Sequence, residues 1–202
     1  MSDPEAIRLQ ARELGVELDL TQAARLLAYE QLLVTKAVPL GAVARADSER
    51  IRDRHILDSL RAAPFVAHEA IVCDLGSGAG LPGVVVAIAL PDVRVLLGER
   101  RERRAALLEL VIQQLGVRNA EVVAGPVEEM SRQVDGCLAR AFAPLPQAWA
   151  VARVILRPGG RLVYFAGAGA GEPQIPPGAD LEAVVRTPVL ERAGSLVIMT
   201  RQ

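Results

Sequence analysis

The chain has 202 residues, 51% of them apolar, and a formal net charge of −1. That is enough apolar material for a single buried core, hence one domain with at most a small appendage. The balanced charge gives no bulk electrostatic pull toward nucleic acid or membrane, although a local basic face is compatible with it.

The opening MSDPEAIRLQ shows no charged-then-apolar export pattern, and no apolar run reaches spanning length. A cytoplasmic protein without a membrane partner is expected. Residues 4–62 read as helical. Asp3 caps a first helix that has Pro4 in its first turn and stops at Gly15. Thr21 is placed as the cap of a second, with Ala24, Leu27, Ala28 and Leu32 as its apolar stripe. Pro39 and Gly41 break the pattern. DSERIRDRHILDSLRAA then resumes as one amphipathic helix, with Ile51, Ile56, Leu57 and Leu60 inward and Pro64 as its end. Within it Arg54 and Asp58 stand four apart and are expected to pair, and His55 and Ser59 share the next face.

From residue 70 the period changes. AIVCDL, VRVLL, AEVVA, DGCLARAF and GRLVYFA read as strands, and helices fall near 81–90, 100–115 and 145–156. That alternation predicts a parallel sheet covered on both faces. The two cysteines, Cys73 and Cys137, sit inside these apolar runs and read as separate buried thiols, not a disulfide or a metal pair. After a glycine- and proline-rich loop, LEAVVRTPVL and GSLVIMTR leave no room for a helix between them and should pair antiparallel. Five parallel strands closed by a hairpin resemble the sheet of class I methyltransferases rather than a dinucleotide-binding sheet.

CDLGSGAGLPG, at the end of the first strand, is a turn that lets backbone approach a ligand closely. Gly78, Gly80 and Gly83 satisfy the dinucleotide fingerprint, so the spacing alone leaves a nicotinamide cofactor open. Asp74, two residues before Gly76, argues against a diphosphate and suits a ligand bearing an ammonium group. Glycines at alternate positions, Gly76, Gly78 and Gly80, match a loop for S-adenosylmethionine, which carries no phosphate. Glu99, just past the second strand, is placed for ribose hydroxyls with either cofactor. Glu128, after the third strand, is placed to border the adenine, or else is a solvated acid at a helix start.

Four stretches stand in a fixed order: RHILDS (54–59), DLGSGAGLPG (74–83), VEE (127–129) and ARAFAPL (139–145). From about Leu20 onward, this order and spacing resemble the bacterial small-subunit ribosomal RNA guanine-N7 methyltransferases, also called the glucose-inhibited division protein B family. The resemblance implies an α/β fold: a class I S-adenosylmethionine-dependent, Rossmann-like, seven-stranded sheet ending in an antiparallel hairpin, with an N-terminal helical extension. It implies a helical segment, 1–64, packed on a methyltransferase domain, 65–202. It also implies cofactor contacts at Gly76, Leu81, Val127, Glu128 and Arg140, and 16S ribosomal RNA of the small subunit as partner. A monomer without metal is expected. This chain departs from the pattern in TKAVPLGAVARAD before RHILDS, and in Gly98, where an acid usually ends the second strand one place before Glu99. Ala166 replaces a lysine, and Gly194-Ser195 replaces an Arg-His pair.

Methylation at guanine N7 suits a sequence without an acid–base pair, because the nitrogen has a free lone pair and no proton to lose. Positioning is then the main task. Arg140, Phe142 and His55 are the positioning candidates: Arg140 for the cofactor side, Phe142 for stacking on a base or for packing, His55 on the helix over the turn. Arg100, Arg101, Arg103 and Arg104 open a helix and form either a solvated face or a contact for RNA phosphates. Two other readings keep the fold: a small-molecule methyltransferase, and a cofactor-binding descendant without turnover.

Overall fold

Helix α1 (Pro4–Glu13) begins where the Asp3 carboxylate accepts the Glu5 N–H, with Pro4 in its first turn. Helix α2 (Leu20–Leu32) is capped by Asp19, not Thr21. The Asp19 carboxylate accepts the Gln22 N–H and the Gln22 side chain accepts the Asp19 N–H, each at 2.7 Å. This reciprocal box satisfies two terminal donors at once, which a lone Thr21 cannot do. The buried stripe of α2 is Ala23, Leu26 and Tyr29, one residue away from the stripe expected from spacing. Two contacts turn the helix: Gln22 donates to the carbonyls of Ile88 and Ala89, and Tyr29 donates to Ala79.

The segment expected as one long helix is a chain of short turns in the computed structural model, which describes residues 3–190 and 193–202. A 3-10 turn (Arg45–Arg50) leads into a π-helical stretch (Arg52–Leu57), then α3 (Asp58–Leu60) and α4 (Ala63–Val66). Pro64 lies in the first turn of α4, where its missing N–H costs nothing, rather than ending a helix. Ile51, Ile56, Leu57 and Leu60 are buried as expected. The wider π spacing cancels the four-residue geometry, so Arg54 and Asp58 do not pair.

Seven strands follow: β1 (Ile71–Leu75), β2 (Arg94–Glu99), β3 (Ala120–Ala124), β4 (Val134–Arg140), β5 (Leu156–Phe165), β6 (Ala179–Val185) and β7 (Leu196–Arg201). Between them lie α5 (Gly83–Ala89), α6 (Glu102–Leu115) and α7 (Leu145–Ile155). The sheet order is β3-β2-β1-β4-β5-β7-β6, with β1 to β5 parallel and β7 antiparallel to both its neighbours. The terminal hairpin expected from the sequence is present, although its first arm ends at Val185, earlier than the apolar run did. Among the described residues no helix is long and apolar enough to cross a membrane.

Alternation along the strands divides the core. Val72, Val95, Leu97, Leu138, Val163 and Ile198 face the N-terminal helices and α5. Cys73, Leu75, Leu96, Cys137, Leu162 and Met199 face α7. Cys73 and Cys137 are register partners across β1 and β4, both buried, both free thiols. The first cluster runs without interruption from Ile7 and Leu26 to Leu196, so the N-terminal helices share the core of one sheet face.

Candidate active site

The turn from β1 to α5 is held from below by groups that take its backbone N–H donors. Gly78 donates to Glu99 Oε2 at 3.0 Å, and Gly83 donates to Asp74 Oδ2 at 3.0 Å. Ser77 donates its N–H to the Gly98 carbonyl, and the Tyr29 hydroxyl donates to the Ala79 carbonyl at 2.7 Å. Two glycines are there for space. At Gly80, with φ +98°, an added Cβ would stand 2.6 Å from Val84 Cγ2 and 2.8 Å from the Tyr29 hydroxyl. At Gly76, with φ +67°, it would stand 2.6 Å from the Phe142 ring. Gly78 is the turn's open face: the nearest side-chain atom to its Cβ position is Arg104 Nη1, at 3.9 Å.

This geometry gives Asp74 a role beneath the turn. Its side chain is 1% exposed, because residues 72 and 74 share the sheet face toward the N-terminal helices. It clamps the turn to the start of α5 by accepting the Gly83 N–H. Burial raises its pKa to about 6, against the pull of Ser77 and Gly83, and among the described residues its Oδ1 has no partner. Gly80 and Leu81 are likewise buried. Glu99 ends β2 itself, so the acid is not displaced beyond the strand. Its second oxygen accepts the Arg101 N–H at 2.9 Å, ahead of α6. Val127 is buried against Gly98, whereas Glu128 is exposed on the short turn Val127–Glu129.

The exit of β4 lies next to this turn. Arg140 ends the strand, Ala141 follows with φ +51°, and that left-handed residue turns the half-buried Phe142 onto Gly76. A left-handed alanine costs free energy and is held by its surroundings. Arg140 is held by the segment 52–60: Nη2 donates to the Arg54 carbonyl at 2.7 Å, and Nε is 3.1 Å from Asp58 Oδ2. Arg140 Nη2 is also 3.0 Å from His55 Nδ1, and His55 Nε2 is 3.4 Å from Asp47 Oδ2. Burial, then the Arg140 charge, hold the His55 pKa at about 4. The ring is therefore neutral at pH 7, accepting from Arg140 through Nδ1. Arg54 pairs with Asp47 at 2.9 Å.

A cavity of about 650 Å³ opens beside Arg140, between segment 50–61, the end of β5 and the loop before β7. Arg50, Asp53, Asp58, Arg61 and Ala166 are on its wall. A second, of about 770 Å³, lies between the loop after β5 and the terminal hairpin. Neither reaches the glycine turn. The structure thus brings together Arg140, His55 and Phe142, and sets Phe142 on Gly76. It leaves Glu128 apart on the surface. Tyr29, Asp47 and Arg61 were missed by sequence reasoning. A tyrosine in an apolar helix stripe does signal that its hydroxyl needs a partner, but not which one.

Solved structures with this fold define its class. The O-methyltransferase from Bacillus cereus in complex with SAH superposes with a TM-score of 0.59 over 98% of this chain and 97% of that one, at 13% identity. The fold is that of the class I methyltransferases. The family model GidB, rRNA small subunit methyltransferase G, matches residues 22–176. A ribosomal RNA small subunit methyltransferase G from Ralstonia nicotianae is 36% identical, over 94% of this chain and 91% of its own length. One from Acidothermus cellulolyticus is 39% identical over 69% of this chain. The chain belongs to the rRNA small subunit methyltransferase G family. It spans 63% of the Acidothermus relative, and 60% and 58% of two others of the same name.

Proposed function

We propose that this chain transfers a methyl group from S-adenosylmethionine to N7 of a guanine in 16S ribosomal RNA of the small ribosomal subunit. The observation that carries this reading is the contact of Phe142 with Gly76, which brings the β4 exit to the glycine turn. Family membership supports it. The residues present fit the cofactor: Gly78 offers an edge without side chains, Val127 lies against Gly98 with the exposed Glu128 following it, and Glu99 ends β2 beside the turn. When bound, S-adenosylmethionine supplies a methyl group on a positively charged sulfur, so no residue has to protonate the leaving group. The chain's own work is positioning and exclusion of water. Asp74, Tyr29 and Glu99 keep the turn in shape from beneath. Arg140, beside a neutral His55, orients the acceptor next to the turn, and Phe142 is placed to stack on a base.

In this reading residues 1–64 form a helical segment on a methyltransferase domain, 65–202, and the protein acts as a cytoplasmic monomer. Arg100 and Arg103, exposed ahead of and within α6, contact RNA phosphates. The test is transfer of radiolabelled methyl to intact small subunits and to naked RNA, followed by nucleoside analysis. One labelled 7-methylguanosine is expected. Label on a metabolite alone, or cofactor binding without transfer to any ribosomal fraction, overturns the reading. Reversing charge at Arg100 and Arg103 is expected to lower RNA affinity and to reduce the salt slope by about 1 for each phosphate no longer neutralised.

A further inference from the structure

Arg61 lies between α3 and α4 with its side chain 3% exposed. Its Nη1 is 2.6 Å from Asp58 Oδ1, and its Nη2 donates to the Gly194 carbonyl at 2.8 Å. The other oxygen of Asp58 is 3.1 Å from Arg140 Nε. Two guanidinium groups therefore share one carboxylate at the wall of the 650 Å³ cavity, and the trio carries a net positive charge. Among the described residues Arg61 Nε, though buried, has no partner. A buried charge cluster with an unsatisfied donor is a poor device for stability. Its geometry has a different consequence. With one oxygen taken by Arg61, Asp58 meets Arg140 through a single oxygen, and Nη2 of Arg140 is left to the Arg54 carbonyl and the His55 ring.

We propose that Arg61 is a positioning residue: by occupying one oxygen of Asp58 it fixes how the Arg140 guanidinium is presented at the β4 exit. Its effect on methyl transfer rests on the function proposed above. Without Arg61, both Asp58 oxygens are free for Arg140, and the two-point pairing that carboxylate and guanidinium prefer draws Nη2 away from His55. The His55 ring reports this directly, because its cationic neighbour moves away.

The experiment compares the full chain with its Arg61→Met and Arg61→Lys variants, by NMR titration of the His55 ring and by steady-state transfer to intact small subunits. In Arg61→Met the His55 midpoint is expected to rise by about one pH unit. The kcat is expected to fall about tenfold, with cofactor Kd and acceptor KM within about twofold of the parent. Arg61→Lys keeps a cation on Asp58 and is expected to restore most of both changes. An unchanged His55 midpoint overturns the proposal, as does an unchanged kcat in protein active on subunits. Loss of cofactor binding and of Tm together, without rescue by lysine, also overturns it and assigns Arg61 to folding alone. Should the parent transfer no methyl to subunits while the midpoint still moves, the proposed function falls and the hold of Arg61 on Arg140 stands.

Discussion

The glycine turn, against which Phe142 lies, and the cavity beside Arg140 are held by different means. Beneath the turn, Asp74 and Glu99 each accept backbone N–H groups, and Tyr29 donates to a backbone carbonyl. These bonds fix main chain, and the groups that make them are largely buried. At the cavity, ion pairs dominate, Arg140 with Asp58, Asp58 with Arg61, Arg54 with Asp47, while Arg140 and Arg61 also donate to the carbonyls of Arg54 and Gly194. A site built on backbone bonds tolerates little change in shape. One built on ion pairs responds to charge and pH.

Breaking the first region should have the largest effect. Gly80→Ala places a Cβ against Val84 and Tyr29 in a left-handed position, and is expected to cost about 3 kcal/mol and abolish cofactor binding. Thermal unfolding and calorimetry check both. Asp74→Ala leaves the Gly83 N–H unpaired, a loss of about 2 kcal/mol, with weaker cofactor affinity through the turn; Asp74→Asn retains an acceptor and should be milder.

The second region predicts a pH signature. Because the His55 pKa falls from 6.5 to about 4 on folding, the unfolded chain binds more protons between those values. The contribution of His55 to stability is intact above pH 6.5 and lost as pH falls toward 4, by about 2 kcal/mol after allowance for solvent screening. Asp74 has the opposite sign. Its folded pKa is raised from 3.8 to about 6, so its contribution is present at low pH and lost as pH rises through 6. Unfolding curves of His55→Gln and Asp74→Asn from pH 4 to 7 should differ from the parent in opposite directions. Equal shifts in both would erase the contrast between the two regions. The smallest effect expected is for Tyr29→Phe: about 1 kcal/mol, from the loss of one buried hydrogen bond to Ala79, with a modest fall in cofactor affinity.

Most of the sheet was legible because strand alternation and intervening helices are local patterns, and the hairpin followed from a gap too short for a helix. The candidate site was legible in part. The left-handed glycines agree with the tight turn expected of the glycine cluster, whereas the nearness of Arg140 to His55 was not read from the motifs. The burial of Asp74 was not legible, because its place at a strand end says nothing about which face it points to. That depends on parity, set where Val72 packs against the N-terminal helices. The stripe of α2 was misread by one residue for a related reason. Both registers are apolar, and distant partners at Ala79, Ile88 and Ala89 choose between them.

By itself, then, the sequence determined the parallel sheet, its closing hairpin, the tight glycine turn and the burial of Ile51, Ile56, Leu57 and Leu60. Each depends on periodicity or backbone preference within a few residues. Only the tertiary structure decided that Asp74 supports the turn from below, that Asp58 joins Arg61 to Arg140, and that Phe142 covers Gly76. Those arrangements join groups from 3 to about 80 residues apart across packed elements, and the direction of a side chain at such a junction is set by what it packs against.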